Sequence, residues 1–487
     1  MLHSEYKEEM GKPVKSIISV FIILSVLISS VGGIVFGYDT GIIGGAIVYI
    51  GKAFQINDLM QGVIVSTSLF GAMIGALAAG PLADKYGRKV ILFISGLFFA
   101  IGAVSSGLSN TIEVLTFARI LQGIGVGASS VLVPVYIAEL APARIRGVLV
   151  TSFQLMITVG IVMAYGVNSV AESSEAWRWP LGIAGIFGIL LAIGVIFVTE
   201  SPRWLIAVNR HDVARLTLQK LRGTPQVEAE LKEIERLDIL EQDTMGWRDL
   251  LSGHVRPMIM IGVLVAFFSN ACGINLVIYF APQILQYSGF TSSVSWMGTI
   301  GLGITNVIFT VVGMLIVDKV GRRPLLIIGA FGLTISLVIL AVLFSVPAFP
   351  GSNWLALGSL IFYIIMYAVS PGMLGFLMIS EISPLRARAK VTSLSIFVIF
   401  ATNLVIALLS LPMLNGLGVS ETFWIFSAIC VAFTLFSFFV PETKGKSLED
   451  VELYFKENIA GLTTKITLPP KNTDNKNMIL KTVLTCL

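Results

Sequence analysis

Two ionisable side chains fall inside otherwise apolar stretches of the chain. Asp39 lies near the end of the first long apolar run, and Arg119 lies inside the fourth. A charge at the middle of a lipid-spanning helix costs about 2.5–3.5 kcal/mol, so the default reading is a functional pair. A carboxylate beside a guanidinium stays ionised, whereas one that loses its partner and its water is driven to protonate. If Asp39 and Arg119 meet, alternation between these states would carry one proton per cycle. The same residues also fit a static ion pair that orients two helices.

The elements that must position these residues follow from composition. The chain has 487 residues, 55% hydrophobic and only 13% charged, where soluble domains carry about 25% charge. No soluble core could absorb this apolar surface, so lipid must be the solvent for much of it. Stretches long enough to span fall at roughly 16–38, 60–83, 90–108, 113–138, 148–170 and 178–198, then at 257–286, 294–317, 324–345, 355–380, 391–413 and 420–440, each near the ~20 residues a bilayer requires. The run from residue 16 is too long for a signal peptide and reads as the first span. Lys85, Arg88, Lys89, Arg144, Arg146, Arg322, Arg323, Arg386, Arg388 and Lys390 all fall in alternate loops, which makes that side cytoplasmic. Both termini and the central segment then lie inside.

The expected domains are a cytoplasmic N-terminus (1–15), a six-helix bundle (16–198), a cytoplasmic helical linker (199–256), a second six-helix bundle (257–440) and a cytoplasmic tail (441–487). In the linker, 212–221 and 227–240 read as short amphipathic helices split by Gly223-Thr224-Pro225. The tail beyond Lys456 reads as disordered.

The two bundles read as copies of one another. Asp84-Lys85-Tyr86-Gly87-Arg88-Lys89 returns as Asp318-Lys319-Val320-Gly321-Arg322-Arg323, and Glu139-Leu-Ala-Pro142-Ala-Arg144-Ile-Arg146 returns as Glu381-Ile-Ser-Pro384-Leu-Arg386-Ala-Arg388. Glu200 after the sixth span parallels Glu442 after the twelfth. Two similar halves can rock about one central site, the mechanical basis of alternating access. Gly71, Gly75 and Gly80, like Gly123, Gly125 and Gly127, read as close helix packing rather than a nucleotide loop. Pro371-Gly372 marks a break in the tenth span. Three cysteines (Cys272, Cys430, Cys486) and three histidines (His3, His211, His254) are scattered. They imply no metal, cofactor or disulfide framework, and no P-loop or catalytic triad stands out.

Together, Gly37-Tyr38-Asp39-Thr40-Gly41, the two D-x-x-G-R turns, Pro134-x-Tyr136-x-Ala138-Glu139, Glu200-Ser201-Pro202-Arg203-Trp204, Gly273-Ile274-Asn275 with Tyr279, and Pro441-Glu442-Thr443-Lys444-Gly445 resemble the sugar porter family of the major facilitator superfamily. The resemblance implies an all-α fold of twelve transmembrane helices in two six-helix bundles, and a proton-coupling role for Asp39 and Arg119. It implies sugar contacts at Gln154, Asn275, Tyr279 and Asn403, with Ser269-Asn270 standing where the family has paired glutamines and Phe376 where it has tryptophan. Ile161, Ile399 and Phe400 replace further polar or aromatic positions, so a substrate with fewer hydroxyls stays open beside a sugar or polyol. By resemblance, Asp84, Arg88, Glu139, Arg146, Glu200, Asp318, Arg322, Glu381, Arg388 and Glu442 form ion pairs that latch the inner side shut.

The expectation is therefore a carrier rather than an enzyme. It would be a monomer in the cell membrane, importing a sugar or polyol by proton symport, with protons and membrane lipid as its other partners and no nucleic acid. A facilitative carrier and a non-transporting sugar sensor are the alternatives.

Overall fold

The computed structural model describes residues 20–142, 145–172, 174–241, 255–383, 388–444 and 455; side chains within this set at 20, 146, 148, 237–241, 380, 388 and 389 are not described. The tail beyond Lys456 and residues 1–15 lie outside the described residues. Among those described, twelve helical segments are long and apolar enough to cross a membrane, and no strand occurs. Their outward faces carry large apolar side chains, such as Ile186, Ile189, Leu190, Ile193 and Phe197, which only lipid can solvate at this density.

In the first half, α1 (Val20–Phe54), α2 (Asp58–Tyr86), α3 (Arg88–Gly107), α4 (Ile112–Leu140) and α5 (Arg146–Glu172) each span; α6 (Arg178–Ile183) and α7 (Gly185–Phe197) together form the sixth. Three short helices follow, α8 (Pro202–Ala207), α9 (His211–Arg222) and α10 (Glu228–Glu241). Leu205, Ala214, Leu218, Val227 and Leu231 give them a small core of their own. Arg222 ties this group to the end of α4 by donating to the Leu140 carbonyl at 2.8 Å.

The second half repeats the plan. Its seventh span is α11 (Val255–Ala271) and α12 (Ile274–Tyr287). Then come α13 (Ser292–Val320), α14 (Arg322–Ser345), and α15 (Ser352–Val369) with α16 (Pro371–Ile382), broken at Ser370 beside the expected Pro371-Gly372. α17 (Arg388–Pro412), continued by a π-helical turn (Met413–Leu417), and α18 (Val419–Ser437) complete it. α2 packs along α4 and α1 along α5; the matching pairs in the second half are α13 with α15 and α11 with α17. The halves meet where α2 packs on α17 and α5 on α13.

The first span differs from the sequence expectation. It continues unbroken to Phe54, 35 residues in all, about 52 Å of helix against a hydrocarbon core of about 30 Å. The glycines around Tyr38 do not end the helix; they are sites of close packing. A Cβ on Gly37 would lie 1.9 Å from the Ile157 carbonyl oxygen of α5, and one on Gly44 would lie 2.1 Å from the Tyr279 carbonyl oxygen of α12.

Candidate functional site

The longer first helix moves Asp39 from a helix end to its middle. There its Oδ1 accepts from Arg119 Nη1 of α4, and its Oδ2 accepts from Ser68 Oγ of α2 at 2.7 Å. Arg119 Nη1 also donates to Gln122 Oε1 at 3.4 Å, one turn along α4. Asp39 is 5% and Arg119 1% exposed, so neither charge faces bulk water in this state and each depends on its partner.

Backbone proximity makes the meeting feasible. A Cβ on Gly123 would lie 1.9 Å from the Ser68 carbonyl oxygen, one on Gly71 would lie 2.1 Å from that of Ile120, and one on Gly127 would lie 2.0 Å from that of Ala72. These glycines, with Gly75, let α2 and α4 touch backbone to backbone and bring Ser68 and Arg119 to one carboxylate. Gly125 instead packs on Ser95 and Phe99 of α3. Gly80 departs from the expectation: among the described residues, a Cβ there would have only Ser393 Oγ of the other half within 4 Å outside its own helix, at 3.9 Å. Beside the pair lies a cavity of about 10 Å³ lined by Asp39, Thr40, Ser68, Arg119 and, from the second half, Tyr279. That is about the space one water needs.

Four of the other polar candidates, Ser269, Asn270, Asn275 and Tyr279, flank the break in the seventh span. Gly273 adopts φ 91°, a left-handed conformation that suits glycine, and a Cβ there would meet the Phe426 ring at 2.8 Å. Tyr363 of α15 donates its hydroxyl to the Cys272 carbonyl at 2.9 Å, satisfying a group at the break. Ser269 and Asn270 precede the break; Asn275 and Tyr279 follow it, one turn apart on α12. Asn270 Nδ2 bonds back to its own helix at Ala266 O, 3.0 Å away. Gln154 Oε1 of α5, Ser269 Oγ and Asn403 Oδ1 of α17 are buried without a hydrogen-bond partner. Buried polar atoms are normally paired, so these three are suited to ligand hydroxyls. Phe376 packs with Ala266, Ile379 and Ile399 into an apolar wall. Tyr279 lines the cavity beside the ion pair, and Gln154, Ser269, Asn270, Asn275 and Asn403 do not.

The ion-pair loops form one constellation built twice. Arg88 grips Glu139 with both Nε and Nη2 at 3.2 Å, pairs with Asp84 at 3.1 Å, and donates its backbone N–H to Glu200 at 3.1 Å. Arg322 grips Glu381 through Nε at 3.2 Å and Nη2 at 2.8 Å, pairs with Asp318 at 2.9 Å, and donates its N–H to Glu442 at 3.0 Å. Gly87 and Gly321 make the turns with φ 96° and 103°. Each cluster lies wholly within its own half, so the described pairs tie helix ends within a bundle rather than latching one bundle to the other. The side chains of Arg146 and Arg388 lie outside the described residues. The two glutamates differ electrostatically. Burial lifts the Glu200 carboxyl above its ordinary value and outweighs the N–H groups of Ser201, Lys89 and Arg88. At Glu442 burial also pushes upward, but the N–H groups of Lys444, Arg322 and Arg323 outweigh it and hold the carboxyl below that value.

Several participants escaped sequence reasoning. Ser68 carried no signal, because serines in apolar helices commonly bond to their own backbone. Gln122 could have been found, since it stands one helical turn from Arg119. Asn306, an isolated amide in the eighth span, lines a second cavity with Ile161, Tyr165, Ile278 and Leu302.

Two helical bundles with a mid-membrane ion pair in one and polar side chains around a broken helix in the other define a multi-pass membrane carrier. Residues 25–455 match the family model described as "Sugar (and other) transporter". The chain belongs to this sugar transporter family. It is 39% identical over 431 residues to the probable metabolite transport protein CsbC of Bacillus subtilis (strain 168), covering 88% of this chain and 93% of that protein. It is 36% identical over 430 residues to the galactose-proton symporter of Escherichia coli (strain K12), covering 87% and 92%. Among solved structures it is similar to the proton:xylose symporter XylE from E. coli bound to 6-bromo-6-deoxy-D-glucose, with a TM-score of 0.78 at 31% identity, covering 89% of this chain and 99% of that one. The major facilitator fold and a transporter rather than an enzyme are therefore established.

Proposed function

We propose that this carrier imports a sugar or polyol together with protons, using Asp39 as the group that gains and loses the proton. The observation that carries the reading is the buried Asp39–Arg119 pair, with Ser68 as third partner and a cavity that reaches Tyr279 in the other bundle. With water excluded, Asp39 stays ionised only while Arg119 and Ser68 hold it; a tilt that separates α1 from α4 removes that support and makes protonation the cheaper state. Because Tyr279 lines the same cavity, movement of the second bundle alters the surroundings of the carboxylate. The partnerless oxygens of Gln154, Ser269 and Asn403 support a hydroxyl-bearing substrate, since hydroxyls leaving water must regain hydrogen bonds. Names of relatives point the same way: a galactose-proton symporter and a D-xylose transporter.

In this reading residues 16–198 and 257–440 are the two moving units. The Arg88 and Arg322 clusters keep each unit's helix ends rigid on the cytoplasmic side, where the positive loops and both termini lie. Surface pairs contribute individually only about 0–1 kcal/mol, so the role falls to the bidentate network. The test is Asp39→Asn in proteoliposomes. Uphill sugar uptake driven by an imposed pH gradient is lost while sugar exchange persists. Uphill uptake at wild-type rate in that variant would overturn the reading, and leave a facilitative carrier or another proton site.

A further inference from the structure

Hydrogen bonds cross between the bundles on the face opposite the Arg88 and Arg322 clusters. Asn415 Nδ2 donates to Asp58 Oδ2 at 2.9 Å, and Ser292 Oγ donates to Glu172, both between exposed side chains. A third is buried: Tyr165 OH of α5 donates to the Ile278 carbonyl of α12 at 2.8 Å.

That carbonyl is available for a reason written in the sequence. Within a helix, Ile278 O would accept from the N–H four residues on, and residue 282 is proline, which has none. α12 responds with non-helical dihedrals at Phe280 (φ −116°, ψ 17°). Ile278 is 7% exposed and Tyr165 4%, so no bulk water reaches the gap while the bundles are closed here. A buried carbonyl without a partner is costly. The first bundle supplies the missing donor, and Gly303 of α13 makes room for its ring: a Cβ there would sit 3.1 Å from Tyr165 Cδ2. One turn further along α5, Asn168 Nδ2 donates to the Gly41 and Ile42 carbonyls of α1 at 3.1 and 3.2 Å. The same stretch of α5 therefore holds α1 within its own bundle and α12 across the divide.

We propose that Tyr165 is a positioning residue for the transport cycle. Its hydroxyl locks the seventh span to the first bundle by supplying the hydrogen bond that Pro282 denies Ile278, and so favours the conformation with this face shut. Opening this face breaks the bond and admits water to the carbonyl, so the bond weights the closed state only. The inference does not depend on proton coupling or on the identity of the sugar.

A double-mutant cycle tests it. Spin labels on Ser174→Cys and Ser293→Cys mark the outer ends of α5 and α13, in a Cys486→Ser background; Cys272 and Cys430 are fully buried. Distances are measured by pulsed electron paramagnetic resonance in lipid, without sugar or gradient. Tyr165→Phe should raise the ratio of long-distance to short-distance populations about three- to tenfold. Pro282→Ala restores an N–H in reach of Ile278 O, so adding Tyr165→Phe in that background should change the ratio less than twofold. Unchanged populations in Tyr165→Phe would overturn the lock. So would a shift of the same size with alanine at 282, because the hydroxyl would then act on something other than the orphaned carbonyl.

Discussion

Removing either member of the Asp39–Arg119 pair should cost stability, but the two losses should answer differently to pH. Both side chains are almost fully buried, and breaking a buried pair from one side typically costs about 3–5 kcal/mol. In Asp39→Leu the stranded guanidinium cannot shed its proton, so the full cost persists at every accessible pH. In Arg119→Leu the stranded carboxylate has an escape, because it can fold protonated. For an ordinary aspartate, taking up that proton costs about 4 kcal/mol at pH 7 and about 1.5 kcal/mol at pH 5. The folded variant then binds a proton that the unfolded chain does not, so its stability falls as pH rises. Thermal unfolding followed by tryptophan fluorescence in detergent, each variant against wild type at pH 7, 6 and 5, measures this. The deficit of Arg119→Leu should shrink by about 1.4 kcal/mol per pH unit on acidification, while that of Asp39→Leu stays flat. Parallel, pH-independent deficits would refute the argument that the pair is sealed from water and that only its acidic member can adapt.

Three further predictions concern the scaffold. The Glu442 carboxyl is held below its ordinary value, so its contribution is present above the ordinary carboxylate range and is lost as pH falls through the folded value. The Glu200 carboxyl is raised, so its contribution is present at low pH and lost as pH rises. Melting curves from about pH 3 to 8 should therefore show the cost of Glu442→Gln growing with pH and that of Glu200→Gln shrinking; equal slopes would contradict the assigned environments. Gly123→Ala places a methyl group 1.9 Å from the Ser68 carbonyl oxygen, and should prise α2 from α4 and sharply cut the yield of folded protein. Gly262→Ala meets nothing within 4 Å and should stabilise α11 by roughly 0.5–1 kcal/mol, read as a higher melting temperature.

Much of the architecture was legible because lipid imposes a simple rule: a spanning segment must be long, apolar and helical. The repeated D-x-x-G-R and E-x-x-P elements revealed the duplication, and the structure gives the two arginines near-identical forks on Glu139 and Glu381. The first span runs past its expected end at residue 38 to Phe54. Gly37, Gly41 and Gly44 in and beyond that end are contact points with α5 and α12, which no single-chain pattern marks. The loop arginines were legible as ion-pair formers, but not that the described partners of each would sit within its own bundle.

The sequence by itself determined that this is a duplicated, lipid-solvated helical protein with two costly charges in its spans, because charge in an apolar run cannot be accidental at that energy. Tertiary structure alone decided who meets whom. Ser68 reaches Asp39 only because Gly71, Gly75, Gly123 and Gly127 let two backbones touch, and Tyr165 finds Ile278 only because a proline in another bundle leaves a carbonyl unpaired. Such contacts join residues more than a hundred positions apart in one case and 29 in the other, and no local periodicity encodes them. They are fixed when close packing and the need to satisfy every buried polar group are solved together.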